Sequence, residues 1–462
     1  MFDCRLAKDV IYPLPTSVES SSNVLECLYI PYNIDFEFVG PWTLDKRQLV
    51  RSFYHTVVAN LPVSTFFPSK SKQSRFIIVL LNGSSNDDND GHHHSYNKYT
   101  IPTKENEQYK LYVDKEQVRM MVYSHLGAMN AIKTLVQVVY ANKEHAICVI
   151  YLPLVIKDSP SIEYRGLLLD TEFIKSLIRG MNISNEQTYT VIGQILSTLG
   201  RLFPDPYIHL GGDEVSVECW LEDKELVARM AQKGIHSGDQ YMPYFLDRLL
   251  DIANKTLPPS KQLIFWEDSF VDLFLLQHGQ YQKILHPNST STSTSPVYNS
   301  NNIIYQVWKG GETIGEYLRD QEIIYSFGFY MDPSFQSCKS FEDCYSRFVP
   351  TNISNLLGVE GCAWEMTQPS SNCTEKDLTV VERGFNDRVW FRLIAMSENL
   401  WSHDQIPKLT NNNNNNNAKD RAHSFTKQIL SKQLSKSMLF DNNSNNPQTT
   451  IDRILNHIKK TK

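Results

Sequence analysis

The chain has 462 residues, a formal net charge of −6 and 21 % charged residues. That is too long for one small core, and it gives no electrostatic ground for a nucleic-acid partner. Hydrophobic residues make up 41 %, yet no run reaches the ~18 apolar residues of a membrane span. The eight cysteines contain no CxxC pair, so no zinc or dithiol redox motif is encoded and no metal or other cofactor is expected.

The N-terminus, MFDCRLAKDVIYPLPTSVE, lacks the basic start and apolar stretch of a signal peptide. Sequons at Asn82, Asn182, Asn254, Asn288, Asn352, Asn372 and Asn442 nevertheless hint at secretory passage. Residues 1–160 read as an α+β domain. LDKRQLVRSFYHTVVANL (44–61) has helical spacing, and RFIIVLLNG (75–83) is a β-rich run ending in glycine. SSNDDNDGHHHS (84–95) is a solvated loop rather than a metal site. QYKLYVD and QVRMMVY predict a hairpin, and residues 124–141 an amphipathic helix with Ser124 as N-cap.

From Arg165 the texture changes. Short apolar runs alternate with helical segments: RGLLLD (165–170), YIHLGGDE (207–214), QLIFWED (262–268), NIIYQVWKG (302–310), EIIYSFGFYMD (322–332) and NLLGVEGCAWE (355–365). Near-continuous apolar strands separated by helices predict a parallel sheet of the (β/α)-barrel type. Residues 161–405 form this second domain. Residues 286–302 read as a surface loop. Residues 406–462 form an Asn-rich tail in which 418–439 and 450–461 have helical character. Cys338 and Cys344 are close enough to close a small loop, or they are two free thiols.

Chemistry-bearing residues fall at the C-terminal ends of these runs, where barrel enzymes carry their sites. Asp213 and Glu214 are adjacent, so they cannot flank a scissile bond as the two carboxylates of most glycosidases do. They fit better if one is the acid and the other orients the substrate, since close carboxylates push their ionisations apart. An acidic strand end that caps a helix or binds a cation is the plainer reading. Trp266, Trp308, Tyr330 and Trp364 end four different strands, which suggests one aromatic wall for a sugar face. Asp332 and Glu365 could accept sugar hydroxyls, and Arg165 could donate in forked geometry.

YPLPTSV, RGLLLDT, FPDPYIHLGGDEV, VWKG, FGFYMD, GVEGCAW and DRVWFRLIAMSENLWS occur in one order over roughly residues 12–402. Together they resemble family 20 glycoside hydrolases of the lysosomal β-hexosaminidase type. The resemblance implies an exo-β-N-acetylhexosaminidase, acting on terminal N-acetylglucosamine or N-acetylgalactosamine with the substrate's own acetamido oxygen as nucleophile. Glu214 matches the general acid/base, Asp213 the residue orienting the acetamido N–H, and Tyr330 the donor to the acetamido oxygen. Trp266, Trp308 and Trp364 match the aromatic box, while Arg165 and Asp332 match the holders of sugar hydroxyls. Glu365 matches a further holder, unless the register shifts and Met366 takes that place. The resemblance also implies a homo- or heterodimer and a lysosomal location.

Only 48 residues separate Arg165 from Asp213. Family members carry two more strand–helix units there, so about six of the eight strands are expected, with the truncation between 171 and 186. Cys219 matches a family cysteine whose partner lies in the absent stretch, so it is expected to be unpaired. The chain is then a product lacking an internal segment, an inactive paralogue that binds sugar or partners an intact subunit, or an enzyme whose sheet closes differently. The truncation predicts a gap in the sheet near 171–186.

Overall fold

A computed structural model describes residues 13, 15–20, 28–30, 34–58, 75–81, 103–141, 147–149, 152–169, 181–203, 205–270, 272–273, 303–309, 318, 321–331, 337–347, 349–350, 353–364, 389–405 and 421. The His-rich excursion, the 286–302 loop, most of the 171–186 junction, Asp332, Glu365 and, Arg421 apart, the tail lie outside these residues. The chain divides into two compact units. One takes Met1–Gly166, Met331–Phe348 and Met366–Lys462, and the other takes Leu167–Tyr330 and Val349–Glu365.

The first unit is built on β1 (Ser17–Ser20), β3 (Phe36–Val39), β4 (Arg75–Leu80), β5 (Tyr109–Val113), β6 (Gln117–Val122) and β9 (Leu154–Asp158), in the order β1-β9-β5-β6-β4-β3. A smaller antiparallel sheet joins β2 (Leu28–Tyr29), β8 (Ile147–Val149) and β7 (Val139–Ala141). The hairpin is present: β5 and β6 pair antiparallel, Leu111 opposite Met120. Strict alternation puts Tyr109, Leu111 and Val113 of β5 and Val118, Met120 and Val122 of β6 into the core. Helices α1 (Leu44–Val58) and α3 (His125–Gln137) pack against each other, and Tyr54, Ala128, Ile132 and Leu135 complete the apolar interior. Ser124 caps α3 as predicted, accepting from Leu126 N at 3.0 Å. The helix stops at Gln137, short of the 141 that the sequence suggests. Val138, Val139 and Tyr140 favour extended backbone, and the chain turns at once into β7.

Asp158 is the polar hub of this unit. Its Oδ1 accepts from Thr16 N (3.2 Å) and Ser159 N (2.9 Å), and its Oδ2 from Tyr109 Oη (3.1 Å) and Trp401 Nε1 (2.9 Å). Burial raises its carboxyl from the ordinary value to about 7, although these donors pull it down. A raised carboxyl pKa favours the folded state fully below the unfolded value near 4, and that contribution is lost as pH rises through about 7. The Asp158 contribution to stability is therefore expected to fall between pH 4 and pH 8. Asp158→Asn should be weaker throughout, because its amide cannot accept from all four donors, but its deficit against the wild type should shrink over that interval. Parallel pH profiles for the two proteins would contradict this assignment.

A disulfide joins Cys338 to Cys344 of α8 (Phe341–Tyr345). Asn399 of α9 (Phe391–Trp401) donates to the carbonyls of Cys344 and Arg347, at 3.1 and 2.9 Å.

The second unit carries the parallel sheet: β10 (Tyr164–Leu169), β15 (Leu356–Ala363), β14 (Glu322–Tyr325), β13 (Ile303–Val307), β12 (Gln262–Trp266) and β11 (Tyr207–His209), hydrogen-bonded in that order. These are the six runs read from the sequence. The pairs from β11 to β15 are all parallel. The first strand, β10, lies beside the last, β15, which is barrel connectivity. Among the described residues no strand links β11 back to β10, so the sheet is a curled half-barrel with two edges. Every residue of β13 is buried, as a strand covered on both faces requires. Helix α4 (Glu186–Leu202) packs on α7 (Tyr241–Thr256), with Arg248 of α7 over the Tyr189 ring at 4.1 Å and paired with Glu186. Two shorter helices, α5 (Val217–Glu222) and α6 (Lys224–Gln232), lie between them in sequence. Cys219 is a free, exposed thiol.

Candidate active site

The turn after β11 is left-handed three times in four residues: Gly211 has φ +76°, Gly212 +98° and Glu214 +47°. At 211 the conformation alone calls for glycine, because a Cβ there would meet open space. At 212 space adds to the conformation, since a Cβ would sit 2.1 Å from Ser269 Oγ and that hydroxyl would have to give way. That hydroxyl donates to Gly212 O at 3.0 Å and ties the turn to the end of β12. Trp266 N donates to Gly211 O at 3.1 Å. Glu214 holds a strained backbone for a non-glycine residue and presents its side chain to solvent, while Asp213 beside it is half-buried. Burial raises the Asp213 carboxyl above its usual range; Asp268 and Glu214 add to the rise and Lys309 opposes it.

The aromatic residues gather in one cluster. Trp266, Tyr330 and Cys362 form a buried core on which Trp308, Trp364 and Leu168 pack. The Trp266 ring lies 6.5 Å from Trp308 and 5.9 Å from Trp364, with tilted or edge-on planes. A bridge between Tyr330 and Cys362 carries Tyr330 on the line of β15. Four residues from four strand ends thus share one wall.

Arg165 lies at the start of β10, in the part of that strand that falls to the first unit. Its Nη2 donates to both carboxylate oxygens of Glu107, at 2.7 and 2.9 Å, its Nη1 to the carbonyls of Ile162 and Glu163, and its guanidinium lies 5.0 Å from the Trp401 ring.

Several participants escaped the sequence reading. Asp268 accepts from Trp308 Nε1 and from Lys309 Nζ, each at 2.7 Å, which fixes one wall of the cluster. Glu267 accepts from the backbone N–H of Trp308 and of Lys309. Burial would lower the Lys309 ammonium, but its bond to Asp268 and the charges of Asp268, Glu214 and Glu267 raise it, so it stays a cation among carboxylates. The signal was present: Glu267 and Asp268 directly follow one strand-end tryptophan, and Lys309 directly follows another. Beneath the turn, His209 Nδ1 accepts from Gly211 N at 2.9 Å, and its ring lies 5.0 Å from Trp266. Burial lowers the His209 imidazole to about 4, against a raising influence from Gln306. Among the described residues no group of three His, Cys, Asp or Glu side chains could hold a metal ion.

Carboxylates and clustered aromatics at the C-terminal ends of parallel strands define a site of the (β/α)-barrel class. A family model, glycosyl hydrolase family 20, catalytic domain, matches residues 174–404, and the chain belongs to that family. It is 26 % identical over 238 residues to β-hexosaminidase subunit A1 of Dictyostelium discoideum, covering 49 % of this chain and 37 % of that protein. It is 25 % identical over 235 residues to β-hexosaminidase subunit alpha of Rattus norvegicus, covering 48 % and 37 %. The match thus takes in little more than a third of each relative's length. The fold is similar to that of the exo β-N-acetylglucosaminidase from Vibrio harveyi, solved in complex with N-acetylglucosamine, with a TM-score of 0.63 and 14 % identity over 93 % of this chain and 78 % of that one. It is likewise similar to the chitobiase of Flavobacterium johnsoniae, with a TM-score of 0.60 and 17 % identity over 93 % and 74 %.

Proposed function

We propose that the chain is an exo-β-N-acetylhexosaminidase that removes terminal N-acetylglucosamine or N-acetylgalactosamine from glycoconjugates. The observation that carries this reading is the gathering of Trp266, Trp308, Tyr330 and Trp364 into one wall, together with the left-handed turn that presents Asp213 and Glu214. The sugar's apolar face stacks on the indoles, which also keep water from the anomeric carbon. Glu214 protonates the glycosidic oxygen and later takes the proton of the attacking water. Asp213 accepts from the acetamido N–H, and Tyr330 donates to the acetamido oxygen as that oxygen attacks the anomeric carbon. The nucleophile is part of the substrate, so the carboxylates need not flank the bond, and adjacent residues suffice. Asp332, Glu365 and Arg165 are assigned to sugar hydroxyls by the family pattern.

Release of 4-nitrophenol from its N-acetyl-β-glucosaminide by the purified protein tests the reading. Turnover with retention at the anomeric carbon supports it. Absence of turnover with intact binding of an oxazoline-type analogue would replace it with a sugar-binding paralogue.

The relatives' names call them subunits, which supports assembly with a second copy or another hexosaminidase-type chain. The Cys338–Cys344 disulfide supports an oxidising route, and the acid-favouring burial of Asp158 suits a lysosome-like destination. Among the described residues no helix is long and apolar enough to cross a membrane.

A further inference from the structure

We propose that His209 is the positioning residue of the Gly211–Glu214 turn, held as a neutral imidazole whose Nε2–H is donated to Oε1 of Gln306. The backbone N–H of Gly211 donates to His209 Nδ1 at 2.9 Å. That nitrogen must therefore carry the lone pair, and the proton of the neutral ring sits on Nε2. His209 Nε2 is buried and has no partner at full hydrogen-bond geometry, and the same is true of Gln306 Oε1. One atom is a donor and the other an acceptor, and Gln306 is the side chain that faces the imidazole. Buried polar atoms of matching sign at one place are a pair that a small adjustment closes.

The Gln306 amide has one sensible orientation. The side chain is fully buried, and its Nε2 donates to Ser326 Oγ at 2.8 Å and to Glu360 Oε1 at 3.1 Å. Flipping the amide would set its oxygen against the Glu360 carboxylate, so Oε1 is left for the histidine. A relay follows: Glu360 on β15 fixes Gln306 on β13, which fixes His209 at the end of β11, which fixes Gly211. Asp213 and Glu214 come next in the chain. His209 also packs on Trp266, so one ring couples the acidic turn to the aromatic wall. A protonated imidazole would put an Nδ1–H against the Gly211 N–H, two donors facing each other, and the turn would lose its anchor.

Only the kinetic arm of the test rests on the hexosaminidase reading. Long-range ¹H–¹⁵N spectra of the histidine-labelled wild-type protein at pH 7 report the His209 tautomer without any variant. The Nε2–H form is expected, and the Nδ1–H form or an imidazolium overturns the proposal. Hydrogen exchange of the Gly211 amide is the second readout. His209→Asn keeps an acceptor near the Nδ1 position and should keep most of the protection. His209→Gln and His209→Phe should speed exchange about tenfold to a hundredfold, the loss of one buried hydrogen bond. Unchanged protection in His209→Phe overturns the proposal. In the kinetic arm, His209→Gln should lower kcat about tenfold to a hundredfold with KM nearly unchanged, and His209→Asn should recover part of the loss. A wild type that turns over no β-N-acetylhexosaminide removes the functional reading alone, and the tautomer and exchange results still decide the role of His209.

Discussion

Replacing Glu214 by Gln is expected to lower kcat on an alkyl N-acetyl-β-glucosaminide about a thousandfold, within the usual worth of a general acid, while KM moves little. The amide fills the space of the carboxyl and cannot give up a proton at the glycosidic oxygen. The loss should be smaller on the 4-nitrophenyl glycoside, whose leaving group departs with little protonation. That ordering separates removal of an acid from general damage to the site, which would slow both substrates alike. Glu214 also holds a left-handed backbone at φ +47°, a strain on the order of 1 kcal/mol for most residues. Asn tolerates that region better, so Glu214→Asn should resist denaturant as well as the wild type or better while losing activity. A Glu214→Asn protein clearly weaker to denaturant than Glu214→Gln would contradict the claim that strain is stored there.

Gly212→Ala is expected to be the most damaging single-methyl change in the turn. The new Cβ would lie 2.1 Å from Ser269 Oγ on a backbone at φ +98°. Conformational strain of about 1–3 kcal/mol adds to a clash that either turns the Ser269 hydroxyl aside or shifts the turn. Either response disturbs the Ser269–Gly212 hydrogen bond that ties the turn to the end of β12. Gly211→Ala meets no atom within 4 Å, so it should show the conformational strain alone. Denaturant midpoints of the two variants, with kcat, measure the difference. Combining Gly212→Ala with Ser269→Gly should recover part of the stability, because the nearest obstacle is gone. Equal midpoints for the two alanine variants would show that the contact with Ser269 does not hold the turn.

The parallel sheet was legible because its inner strands, β12 to β15, are largely buried and read as unbroken apolar runs between helical segments. The hairpin was legible because β5 and β6 alternate cleanly, and the start of α3 because Ser124 is a cap by chemistry. The end of α3 was misread, since QVVYA continues the apolar pattern while its β-branched residues prefer the extended state that β7 adopts. The aromatic cluster was anticipated from equivalent strand-end positions, which period and topology convert into proximity. Neighbours that act across strands were not. The pairing of Asp268 with both Trp308 and Lys309, and of Arg165 with Glu107 over 58 residues of chain, depends on side-chain reach after folding. His209 read as one more residue of an apolar run; its Gly211 partner lies two positions on, but Gln306 comes from another strand. The disulfide was undecidable from spacing, because a six-residue separation permits it and does not require it.

The proposed catalysis depends on an N-acetyl group anchored beside Asp213 and Glu214, so the decisive measurement varies that group alone. Rates on the 4-nitrophenyl β-glucosaminide are to be compared with N-acetyl, N-fluoroacetyl, N-difluoroacetyl and N-trifluoroacetyl substituents. Each fluorine withdraws electrons from the amide oxygen while enlarging the group only a little. If that oxygen is the nucleophile, kcat falls steeply with each fluorine added. Equal rates across the series would show that the acetamido oxygen takes no part in bond breaking, and the roles given to Asp213, Glu214 and Tyr330 would fall with it.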